Sequence, residues 1–132
     1  GFFAYDGSGK RLGYWDGLGD QYPLAAMQPE LTDVQHRLMF AQVLEAVKAL
    51  EEGVLMDIRE GDVGAILGWG FAPWSGGPLS WLDMLGTPYA AKRCDKLQAA
   101  FGDRFCCPDL LREMAAKNQS FYGRFGTAEQ AA

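Results

Sequence analysis

No stretch of eighteen consecutive apolar residues occurs, so nothing in the sequence reads as a membrane span. Cysteine is scarce. Cys94, Cys106 and Cys107 form no C-x-x-C pair, and an odd count does not suit the disulfide framework of a small secreted protein, so a reducing compartment is expected. Positive charge is thin as well: 12 Lys and Arg against 17 Asp and Glu leave a net charge of −5, and the basic residues are scattered rather than gathered into a stripe. That balance excludes nucleic acid as a partner. The opening residues lack a basic region ahead of an apolar one and do not read as a signal peptide. Beginning on Gly1-Phe2-Phe3 without a methionine, the sequence is expected to be a fragment or processed product of something longer.

The usual catalytic and cofactor signatures are also missing. Gly7-Ser8-Gly9-Lys10-Arg11 looks like part of a phosphate loop, but Arg11 stands where a hydroxyl residue is needed, and no glycine precedes Gly9 at the required spacing. Gly68-x-Gly70 lacks a third glycine and follows no strand, so no dinucleotide fingerprint exists and the chain is expected to bind no cofactor itself. His36 is the only histidine and has no nucleophile nearby in sequence, so it reads as a surface or half-buried helix residue. One histidine and two adjacent cysteines also lack the spacing of a zinc site, so no metal is expected. Cys106-Cys107 precedes a helix start at Pro108, where a thiol's pKa is lowered. Adjacent residues point in different directions and no base accompanies them, so these cysteines read as buried or half-buried structural thiols.

What is present is apolar residues at 48%, seventeen glycines and four tryptophans, a globular composition with fixed turns. The 132 residues fit one domain: an irregular arm over 1–31, a helical body over 32–126 and a fraying tail over 127–132. Thr32 and Gln35 make a capping box that predicts a long helix from Asp33 to Glu52, with Phe40, Val43, Leu44, Val47 and Leu50 on one face and Val34, Leu38 and Ala41 widening the stripe. A second helix is predicted over Arg59–Leu67, with Val63, Ile66 and Leu67 inward. A third follows over Pro78–Leu85, a fourth over Tyr89–Phe101 and a fifth from Pro108-Asp109 to Lys117. Strict alternation of apolar and polar residues persists nowhere, so the fold class is all-α with about five helices.

Between the second and third helices, residues 68–86 interleave glycine, proline and tryptophan too densely for a helix or strand. The segment reads as a shaped loop running into a helix. Gly70, Pro73, Gly76, Gly77, Pro78 and Gly86 are its structural positions, and its large aromatics are expected to be buried. Three carboxylates are expected to accept backbone N–H groups there: Glu45 on the long helix, Asp62 early in the next and Asp83 near the end of the third. No residue is assigned a catalytic role.

The loop resembles the G-F-P-P-x-x-G-G-x-x-x-x-x-D-x-x-G signature of the C-terminal helical domain of 3-hydroxyacyl-CoA dehydrogenases, in the version that ends the multifunctional fatty-acid oxidation α-subunit. Gly1-Phe2-Phe3-Ala4-Tyr5-Asp6 resembles the peptide that opens the last repeat of that domain. Glu45-Ala46 with Glu52-Gly53 resembles its long helix and stop, and Asp62 falls where the family has an acidic residue. Ala72 departs from the pattern by replacing the first of two prolines.

The resemblance implies an enzymatic parent of fatty-acid β-oxidation that oxidises 3-hydroxyacyl-CoA with NAD, often alongside an enoyl-CoA hydratase domain. This chain would be its non-catalytic last repeat, standing where a dimer partner stands in monofunctional relatives and supporting the acyl-CoA cleft. The implied partners are the preceding helical repeat, the nucleotide-binding domain and a thiolase subunit. The implied compartment is the cytoplasm in a bacterium, or the mitochondrion or peroxisome in a eukaryote. Two alternatives stand beside this: a free-standing helical interaction module, and a small cysteine-dependent enzyme.

Overall fold

The computed structural model describes residues 1–126. The expected fray at 127–132 lies outside them. The chain divides into two compact units, the first Gly1–Asp33 and the second from Val34 onward. Among the described residues there are seven helices and one two-stranded sheet, so the fold is mainly α-helical.

The first unit corrects the expectation of an irregular arm. Strands β1 (Phe3–Tyr5) and β2 (Arg11–Tyr14) pair antiparallel, with Phe3 opposite Tyr14 and a register shift after Ala4. The turn holds because Asp6 Oδ1 accepts hydrogen bonds from Ser8 N at 2.9 Å, Ser8 Oγ at 2.6 Å and Lys10 N at 2.9 Å, while Gly9 adopts a positive φ of 85°. Phe3 stacks on Tyr14 at 5.3 Å between centroids, with the Arg11 guanidinium 4.7 Å above Phe3. These strands are only three and four residues long and Phe3-Ala4-Tyr5 is apolar throughout, so alternation gives no sign of them. Turn chemistry and cross-strand pairs form the hairpin instead. A one-turn helix, α1 (Leu18–Gln21), follows.

The long helix α2 spans Leu31–Glu51. It starts before Thr32, which therefore lies within its first turn rather than ahead of it, contrary to the capping-box reading. Phe40, Val43, Leu44 and Val47 are buried on one face and Leu50 packs at the edge of the core, whereas Leu38 on the other flank remains exposed.

Helix α3 (Ile58–Trp69) buries Ile58, Asp62 and Ala65. Of the predicted inward residues, Ile66 packs at the edge of the core, but Val63 is 55% and Leu67 80% exposed. The sequence pattern misleads here because one of the three inward positions is a carboxylate, which no apolar periodicity can register. Asp57 caps this helix, its Oδ1 accepting from Arg59 N at 2.9 Å.

A single 3₁₀ turn at Pro73–Ser75 leads into α4 (Pro78–Leu85), which buries Leu79, Trp81 and Leu82. Helix α5 (Thr87–Phe101) ends at Gly102, and a second 3₁₀ turn at Asp103–Phe105 leads to α6 (Asp109–Ala116), which turns Leu111 and Met114 inward. A five-residue helix, α7 (Phe121–Phe125), is not signalled by the sequence; it buries Phe121. At about 25 cal/mol per Å² of apolar area, the joint core of α2 to α7 supplies the drive that such short helices lack alone.

Candidate functional site

The loop between α3 and α4 closes around one carboxylate. Helix α3 stops at Gly70, which takes the left-handed conformation at φ 75° and returns its N–H to the Ala65 carbonyl. Gly76 repeats that conformation at the end of the 3₁₀ turn, and Gly77 sits at φ 121° directly before Pro78, the first residue of α4. Pro78 has no N–H to cap and Gly77 has no side chain to cap with. Helix α4 therefore begins with exposed donors and no local acceptor.

Asp62 supplies that acceptor from α3. Its Oδ1 accepts from Leu79 N at 2.8 Å and its Oδ2 from Ser80 N at 3.0 Å, with Ser80 Oγ adding a third bond at 2.6 Å. The Tyr122 hydroxyl donates a fourth to Oδ2 at 2.9 Å. Asp62 is 1% exposed, so its charge is carried by these donors and by the amino end of α4 rather than by water. The fit is close. A Cβ placed on Gly77 would lie 2.5 Å from Asp62 Cγ and Oδ1, which leaves glycine as the residue that fits.

Asp83 performs the same task one step on. At the carboxyl end of α4 it accepts from Phe121 N at 2.6 Å and Tyr122 N at 2.9 Å, the first two donors of α7, while Ser120 accepts from Gly123 N at 3.0 Å. A ring results. Asp62 of α3 caps α4, Asp83 of α4 caps α7, and Tyr122 of α7 returns its hydroxyl to Asp62. Burial pushes the Tyr122 phenol above its ordinary value, and the neighbouring Asp62 carboxylate adds to the shift against a lowering bond from Ser80.

Glu45 does not join the ring. It is exposed and pairs with Lys48 at 2.8 Å one turn along α2, because its position faces away from the core. The carboxylate of α2 that serves another helix is Glu51, whose Oε1 accepts from Leu110 N at 2.7 Å in the first turn of α6. The expected burial of the loop aromatics also needs correcting. Trp81 and Phe71 are buried, but Trp69 is 60% and Trp74 71% exposed.

This arrangement offers little to a substrate proton. An ionised carboxylate has about four acceptor sites, and Asp62 has four donors on it. His36 packs its ring near Phe40, Trp81 and Tyr89 at 5.8 to 6.1 Å between centroids. Cys94 and Cys107 are buried together in the core, and the bond to Cys107, then burial, pushes the Cys94 thiol up. Cys106 is exposed, against the expectation of a buried or half-buried thiol, since the chain turns outward between Phe105 and Cys107. Among the described residues no cluster of three or more His, Cys, Asp or Glu could hold a metal ion, and no helix is long and apolar enough to cross a membrane.

The sequence comparisons point to one subunit. The fatty acid oxidation complex subunit alpha of Shewanella amazonensis is 36% identical over 126 residues, covering 92% of this chain and 18% of its own length. That of Shewanella loihica is 36% identical over 128 residues, covering 92% of this chain and 17% of its own. The chain is similar to one part of that subunit. In the protein of the same name from Shewanella sp. strain MR-7, identity rises to 42% over 94 residues, 70% of this chain and 13% of the relative. The chain thus spans less than a fifth of the length of the curated relatives it matches. No family model matches it.

Proposed function

We propose that this chain is the terminal helical repeat of a 3-hydroxyacyl-CoA dehydrogenase module in a longer, multifunctional fatty-acid oxidation polypeptide, and that it performs no catalysis itself. The observation that carries this reading is the saturated carboxylate. Asp62, buried and in line with the family's loop signature, spends every acceptor site on holding α4 and α7. Its role is support: it stands where a second subunit stands in dimeric relatives and holds the preceding repeat and the nucleotide-binding domain around an acyl-CoA cleft. NAD and acyl-CoA belong to those parts of the polypeptide, a thiolase subunit is a further partner, and with bacterial relatives the compartment we infer is the cytoplasm.

The test is to end the parent polypeptide before Gly1 and to measure 3-hydroxyacyl-CoA oxidation, enoyl-CoA hydration and the melting temperature. Loss of the dehydrogenase with a lower melt and a retained hydratase is expected. An unchanged dehydrogenase rate with an unchanged melt would remove the supporting role.

A further inference from the structure

A groove of about 800 Å³ runs between α2 and the segment that follows α5. Its apolar lining comes from Val34 and Leu38 on one wall and from Phe101 and Phe105 on the other, with Leu38 64% and Phe101 43% exposed. Two arginines line it, Arg37 from α2 and Arg104 from the 3₁₀ turn, and among the described residues no carboxylate does.

That charge is opposite in sign to the chain's own net charge. The chain carries a net charge of −5, and three of its other guanidiniums pair with carboxylates: Arg59 with Asp57, Arg112 with Asp95 at 2.8 Å, and Arg124 with Glu113 at 3.3 Å. Arg37 and Arg104 pair with none among the described residues. Arg37 is nevertheless held in place, its guanidinium 4.0 Å from the centre of the Phe101 ring. Stacking on an aromatic face leaves the planar edge of a guanidinium free to donate, and it removes much of the side-chain entropy that an ion pair would otherwise cost. An apolar floor flanked by two cations, one of them held by stacking, is complementary to a helix with apolar residues on one face and carboxylates beside them.

We infer that this groove is the docking site for an acidic, apolar-faced helix of the longer polypeptide, from the portion preceding residue 1. The inference rests on the reading proposed above. The occupant is placed outside this chain because the chain spans less than a fifth of its relatives' length and no carboxylate among the described residues lines the groove.

Carboxylate contact can be trapped in the full-length protein. In an Arg37→Lys/Arg104→Lys variant, which keeps both charges at exposed positions, a zero-length carbodiimide joins the new amines only to carboxylates already in contact. Peptide mass spectrometry then names the partner. A coupled Asp or Glu from upstream of Gly1, flanked by apolar residues at helical spacing and absent when both positions are glutamine, is the expected result. Coupling only to residues 1–132, only to another protein, or to nothing would overturn the inference. The readout is independent of the truncation test: lost dehydrogenase activity on truncation without upstream coupling removes the groove while leaving the supporting role, and an unaffected enzyme removes that role itself.

Discussion

Gly77→Ala is the sharpest perturbation of the loop, because a methyl group there meets both a backbone and a steric obstacle. At φ 121° and ψ 175° the backbone occupies a region that is essentially confined to glycine, which costs another residue about 1–3 kcal/mol. The added carbon would also lie 2.5 Å from Asp62 Cγ and Oδ1, so the carboxylate must shift. If that shift breaks one of its bonds to Leu79 N or Ser80 N, a further cost of about 1.5–3 kcal/mol follows, as expected for a hydrogen bond to a charged acceptor. Gly70→Ala is the control. Gly70 also has positive φ, at 75°, but nothing lies within 4 Å of the new carbon, so only about 1–2 kcal/mol of left-handed strain applies. Gly76→Ala should fall between them, because Ser80 Cβ stands 3.1 Å away.

Urea unfolding followed by circular dichroism separates these cases. With a denaturant slope of about 2 kcal/mol per molar, Gly77→Ala should move the midpoint down by about 1–3 M and Gly70→Ala by less than about 1 M. Combining Gly77→Ala with Asp62→Ala should cost less than the sum of the single changes, since the carboxylate's bonds to Leu79 N and Ser80 N can be lost only once. Equal midpoints for the Gly70 and Gly77 variants, or strict additivity with Asp62→Ala, would refute the clasp.

Other outcomes follow from the same contacts. Asp83→Ala should free Phe121 N and Tyr122 N and release α7, raising amide exchange over 121–125 while α5 stays protected; unchanged exchange there would place the hold on α7 elsewhere. Tyr122→Phe should cost about 1 kcal/mol near neutral pH through loss of the bond to Asp62. Because the folded state holds the Tyr122 proton more tightly than the unfolded one, that contribution is complete below pH 10.0 and lost as pH rises through the raised value. The variant's alkaline limb should therefore be flatter, and parallel limbs would contradict this. The Arg59 side-chain bond, ahead of the backbone bond from Arg59, holds the Asp57 carboxyl down at about 2, so its stabilisation is present above 3.8 and lost as pH falls toward 2. Asp57→Asn should remove that part of the acid limb, and an identical acid titration would rule it out. The purified chain should show no hydride transfer from 3-hydroxybutyryl-CoA to NAD, and micromolar NAD binding by calorimetry would contradict the supporting role.

Helices bounded by proline and glycine are legible in this sequence. Pro78 and Gly86 bracket α4, and Gly102 ends α5, because these residues act on the backbone locally. The inner face of α3 is hidden for the opposite reason, since Asp62 holds an inward position on account of donors 17, 18 and 60 residues away. Helix α7 is invisible for a related one: five residues cannot nucleate alone, and the acceptors that support it include Asp83, 38 residues upstream of Phe121. Asp62 and Asp83 can be picked out as carboxylates beside a donor-rich loop, but the partners of each depend on tertiary contacts. Glu45 looks equivalent along the chain, yet it faces outward, and the carboxylate that reaches another helix is Glu51 at the end of α2. The hairpin at Phe3–Tyr14 escapes an alternation test because its strands are three and four residues long and their turn does the ordering.

The ring of caps has a mechanical consequence that bears on the supporting role. A buried carboxylate without a cationic partner is stable only while its donors stay in place, so displacing α4 or α7 exposes an uncompensated charge as well as apolar area. Helices α3, α4 and α7 are therefore expected to move together or to unfold together. A catalytic carboxylate needs the reverse, an acceptor site left open at the moment of reaction. Such a block suits a surface that must hold its shape against a neighbour. The side chains it leaves outside, among them Val63, Leu67 and Trp74, together with Leu38 of α2, are the apolar groups that the proposed neighbour would cover.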